Sequence, residues 1–148
     1  MTFKERLQGD LKNAIRSQDD TSKRALRLAL AAVKNKEIDV GRDLTDTEVV
    51  VILQKEVKTR QETLQELTQV ERPEMAAAQR AELDVLTGYL PKQLDRNEIA
   101  ELARKVIVQT GAEGPGQMGL VMGKLMPEVQ GQADGKVVSQ VVRELLSG

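Results

Sequence analysis

Lys136, Gln140 and Arg143 stand four and three residues apart near the end of the chain, the spacing that stacks side chains on one ridge of an α-helix. The ridge covers an arc of about 60° at 100° per residue. On the opposite side Val137, Val138, Val141, Val142, Leu145 and Leu146 recur at i, i+1, i+4, i+5, i+8 and i+9, a stripe that must be buried. Two long cations and an amide offer N–H donors to phosphate oxygens or to a partner's carboxylates. From spacing alone, the first reading is the wet face of an amphipathic helix.

Just upstream, Gly119 and Gly123 are also four apart, beside the stripe of Met118, Val121, Met122 and Leu125. A glycine inside a helix costs roughly 1 kcal/mol against alanine, so two in one short helix predict that something approaches its backbone closely. The last helix is the expected neighbour, and a polynucleotide backbone is the rarer one. Lys124 lies between these features, with its stem expected to be buried at one end. The turn Gly131-Gln-Ala-Asp134 resembles a phosphate loop only superficially: Asp134 would occupy the free amides, and neither a Walker spacing nor GxGxxG is present.

Catalytic chemistry has little to work with. The chain has no histidine and no cysteine, which removes the commonest general base, the thiolate nucleophile and the commonest transition-metal ligands. The serines and threonines have no imidazole to activate them, and the carboxylates show no EF-hand or cluster spacing. No catalytic residue, metal site or cofactor is predicted. Phe3 and Tyr89 are the only aromatics, so base-stacking recognition of single-stranded RNA is not expected. A net charge of −1 and a pI of about 5.7 confine any nucleic-acid contact to a local patch. No apolar leader or membrane span is visible, and a soluble cytoplasmic protein is the default expectation.

The elements that must position these residues are helices. Alanine, leucine, glutamate, lysine and arginine are abundant, and the core must come from aliphatic residues and methionine. Thr2–Glu5, Thr45–Glu48 and Asp95–Glu98 read as capping boxes that open three helices. A further helix over Thr21–Ile38 is apolar around more than half its circumference and is expected to be central. Its Lys23, Arg27 and Lys34 line a strip without an acid, read first as a solvated face and second as phosphate-facing. The third helix runs to about Leu67, with Lys55–Glu62 expected to stand partly clear of the core. Pro73 opens a fourth, which should stop at Tyr89-Leu90-Pro91. Next come a helix ending at Gly111, a short one over Gln117–Met126 halted by Pro127, and a last helix from Asp134 to Leu146. The prediction is an all-α protein: a four-helix domain over residues 1–92 and a three-helix domain over residues 93–148.

Five stretches together resemble the YqeY family, stand-alone relatives of the tail domain of the B subunit of tRNA-dependent amidotransferases. They are Arg24–Glu37, Leu53–Lys58, Tyr89–Leu94, Met118–Lys124 and Gly131–Glu144. The part shared with the amidotransferase tail is mainly Gly119–Leu146. The resemblance implies a helical N-terminal domain joined to a three-helix C-terminal one. It associates the chain with carbon–nitrogen ligases that use glutamine as amido-nitrogen donor, in which the tail helps to recognise mischarged tRNA and chemistry belongs to other domains. Carried over residue by residue, the implied tRNA contacts are Lys124, Lys136, Gln140 and Arg143, with Gly119, Gly123 and Gly131 allowing backbone approach. The chain lacks the kinase-like body that activates the acyl group. The expected function is therefore a non-catalytic helper that binds tRNA or a tRNA–enzyme complex. The alternative is a helical protein-interaction module that docks its methionine-glycine face on a partner helix.

Overall fold

The computed structural model describes residues 1–148. It is all-α, with seven helices and no strand: α1 Phe3–Arg16, α2 Asp20–Val40, α3 Asp46–Gln69, α4 Pro73–Thr87, α5 Arg96–Thr110, α6 Met118–Val129 and α7 Gly135–Ser147. A 3₁₀ turn, Pro115–Gln117, leads into α6. The chain divides into two compact units, Met1–Leu90 and Pro91–Gly148. Each has its own aliphatic core.

The helix starts follow from side chains that satisfy otherwise orphaned amides. Thr45 and Asp95 each accept the backbone N–H of the glutamate three residues on, and Glu48 and Glu98 return the bond to the cap residue. Thr2 caps α1, but no returning bond from Glu5 completes a box there. Asp19 caps α2 and Asp134 caps α7. Gly41 and Gly111 end α2 and α5 at φ of 72° and 70°, the left-handed region that glycine enters without a Cβ clash.

In the first unit α2 packs against α1, α3 and α4, as its wide apolar stripe predicts. Leu26, Ala29 and Val33 are buried with Leu7, Val49, Leu53 and Leu86. The stripe is wider than its cover, however, and Leu28 remains 54% exposed. The middle of α3 departs from expectation: Val57 and Arg60 are buried, so this segment does not stand clear of the core. The clear segment begins one turn later, since residues 61–81 include no buried side chain. The fourth helix stops at Thr87, earlier than Pro91 requires, and Tyr89 turns its hydroxyl to Asp10 and packs T-shaped with Phe3.

In the second unit Val121, Leu125 and Val129 of α6 meet Ile99, Ala103 and Val106 of α5 and Val138, Val141, Val142 and Leu146 of α7. The expected stop at Pro127 is corrected, because α6 continues through it to Val129. Burial of Leu125 and Val129 on one face holds the last turn in place. Pro127 itself lies on the exposed side, where its missing N–H only frees the carbonyl of Gly123.

Candidate functional site

On α7 the burial pattern divides the helix as its sequence requires. Val138, Val141, Val142 and Leu146 face the core, whereas Lys136, Gln140 and Arg143 are exposed. Lys136 and Arg143 form no ion pair within the chain. The nearest acid along the helix, Glu144, is held by Arg96 at 2.7 Å on the flank of the ridge. Asp134 accepts the Lys136 backbone N–H at 3.0 Å, so the start of α7 is occupied by its own carboxylate. An anion is excluded there, and any anion contact falls to the side chains along the helix.

On α6, Lys124 is exposed, against the expectation of a buried stem. The glycines also correct their prediction. A Cβ built on Gly119 or Gly123 would meet nothing within 4 Å, so α7 does not approach them. The reason is angular. α6 packs through Val121, Leu125 and Val129, while Gly119, Gly123 and Pro127 follow one another at four-residue steps along the outer side. What remains is a bare strip of helix backbone, bordered by Leu120 at 54% exposure and by Lys124. Within it the Gly123 carbonyl lacks the usual helical donor four residues on, because Pro127 has no N–H.

Gly131 differs from the other two. It is buried, with φ of 82°, and its carbonyl accepts from Gln93 Nε2 at 2.8 Å. It shapes the turn between α6 and α7 and presents no backbone outward, contrary to the expected role. The neighbouring Gln132 carbonyl takes the Leu94 N–H at 2.8 Å, so the segment entering α5 is pinned to the same turn. Met118, Met122 and Met126 are partly buried against the core, which makes them packing residues.

One cluster escaped the sequence reading. Glu82 of α4 is 5% exposed and accepts from Arg24 of α2 and Arg60 of α3, each at 3.3 Å. Arg60 is itself 6% exposed and also donates to Gln79 at 3.4 Å. A signal existed: Arg60 shares the helical face of Val49, Leu53 and Val57, and Glu82 shares that of Gln79 and Leu86. Two opposite charges at core register on successive helices predict a buried pair. The cluster ties three helices together. A hollow of about 480 Å³ lies at the α3–α4 turn between Leu67, Pro73 and Ala76, and all of its polar lining is exposed.

Comparison with known proteins fits this architecture. Altered inheritance of mitochondria protein 41, mitochondrial, of Pyrenophora tritici-repentis is 31% identical over 144 residues, covering 95% of this chain and 79% of that protein. The protein of the same name in Lachancea thermotolerans is 32% identical over 101 residues, or 68% of this chain and 54% of that one. The E subunit of the glutamyl-tRNA(Gln) amidotransferase of Thermococcus gammatolerans is 42% identical over 71 residues, which span 48% of this chain but only 11% of that much longer protein. The profile of Yqey-like proteins matches residues 4–146, nearly end to end, and the chain belongs to that family.

Proposed function

We propose that this chain is a tRNA-associated, non-catalytic helper that grips folded tRNA, or a tRNA–enzyme complex, through α6 and α7. The observation that carries this reading is the set of exposed, unpaired cations Lys124, Lys136 and Arg143 on one small unit with a bare helix backbone. Kinship with part of a tRNA-dependent amidotransferase supplies the nucleic acid. The chemistry is consistent with shape recognition. Cations and the Gln140 amide meet phosphates, while the glycine strip lets a ribose edge approach the helix backbone. Amide transfer from glutamine is left to partner proteins. In this reading the two compact units act as separate domains, one a helical body and the other the gripping head.

Low-salt binding of tRNA to the wild type and to a Lys124→Ala/Lys136→Ala/Arg143→Ala variant tests the proposal. Binding should weaken in the variant, with the slope of log affinity against log salt falling by about 1 for each lost phosphate contact. Equal binding by both proteins, or none by either, removes the site. Turnover of mischarged tRNA and glutamine by this chain alone would overturn the non-catalytic assignment. Leu120, a large aliphatic left in solvent, favours the second reading, in which the outer side of α6 docks on a partner helix without RNA.

A further inference from the structure

The face of α2 turned away from its bundle has the register of a coiled-coil seam. Leu28, Ala31, Asn35 and Ile38 follow one another at steps of three, four and three, and Leu28 and Ile38 are 54% and 67% exposed. Ala31 and Asn35 between them are exposed as well. Arg27 and Lys34, seven residues apart, each precede a seam position and so flank the seam on one side. Both are exposed and unpaired, whereas Arg24 and Lys23 are held by Glu82 and Asp20. Leu26 and Val33, on the other side of the helix, are buried in the bundle. The helix therefore has two apolar faces, and its own unit covers only one.

We infer that α2 pairs through this second face with an acidic amphipathic helix of another protein. That helix would carry aliphatic residues at heptad seam positions and Asp or Glu, seven apart, opposite Arg27 and Lys34. Charge selects this occupant over the others. A second copy paired antiparallel would bring Arg27 and Lys34 against each other, and a parallel copy would pair Lys34 with Asp39 but leave Arg27 opposite Ala32, whereas an acidic partner satisfies both cations. RNA would satisfy the cations but leave Leu28 and Ile38 without an apolar partner over a strip of about 15 Å. Asn35 at a seam position is the kind of polar insert that fixes register and strand number. The surface lies in the first unit and does not depend on the tRNA reading.

A displayed library of helical peptides, randomised at the seam and flanking positions, is selected on the full chain. It is then counter-screened on an Arg27→Glu/Lys34→Glu variant. Peptides with aliphatic seams and flanking acids should be enriched and should lose at least roughly tenfold in affinity for the variant. A Leu28→Ala/Ile38→Ala variant should also bind them weakly, and circular dichroism should show every variant as helical as the wild type. Enrichment of neutral or basic peptides, or equal binding to the charge-reversed variant, overturns the inference. So does dimerisation of the chain, or tRNA binding by it, that the Arg27→Glu/Lys34→Glu substitutions abolish.

Discussion

At the scale of single residues, the most consequential group is Glu82. It is buried between two arginines that belong to other helices, and Arg60 depends on it because the arginine's Nε already lacks a hydrogen-bond partner. Two charges out of water contribute little net stability as a pair, but removing one strands the other. Glu82→Ala should therefore destabilise the first unit by about 3–5 kcal/mol, read as a shift of the denaturant midpoint. No change would mean that Arg60 finds water. Tyr89 supplies a second test. Burial, and then the bond its hydroxyl donates to Asp10, push the phenol well above its ordinary value of 10.0. The folded state thus keeps a proton that the unfolded chain releases, and stability falls as pH rises above the unfolded value. Since Tyr89 is the only tyrosine and there is no tryptophan, its ionisation can be followed directly by near-ultraviolet absorbance. The phenolate should appear only together with loss of helical structure; ionisation near pH 10 in the folded protein would contradict the partly buried hydrogen bond to Asp10.

At the scale of elements, capping chemistry made the helices legible. Each of the cap residues Thr2, Thr45, Asp95 and Asp134 occupies the place its sequence pattern gives it. The proline rule misled at α6, where two buried aliphatics on the core face, Leu125 and Val129, outweigh the loss of one hydrogen bond on a solvent-facing side. The glycine argument misled for a related reason. A helix wheel places Gly119 and Gly123 together but does not say which neighbour faces them, and here none does. With open space at both sites, a Gly119→Ala/Gly123→Ala variant should gain stability, about 1 kcal/mol per site by helix propensity. Under the proposed function the same variant should bind tRNA more weakly, because the two methyls cover the backbone strip. Greater stability with undiminished tRNA binding would show that the bare strip is not used.

At the scale of the whole molecule, each unit has its own core, and the C-terminal one holds every proposed tRNA contact. If it acts as a domain, a fragment beginning at Pro91 should fold as a helical unit and retain most of the tRNA affinity of the full chain. A fragment that remains unfolded, or binds no tRNA when folded, would tie the function to the first unit as well. Two of the relatives are named as mitochondrial proteins, and no helix of this chain is long and apolar enough to cross a membrane. By itself the sequence determined the all-α class, most of the helix starts and the inward face of α7, because these depend on contacts within one or two turns; the cap of α2 falls on Asp19, not on the Asp20 or Thr21 that its pattern offered. Tertiary structure alone decided which apolar and glycine faces stay uncovered, as on α2 and α6, and that Glu82 meets Arg24 as well as Arg60. Such outcomes depend on how helices distant in sequence cross, and no local pattern encodes a crossing.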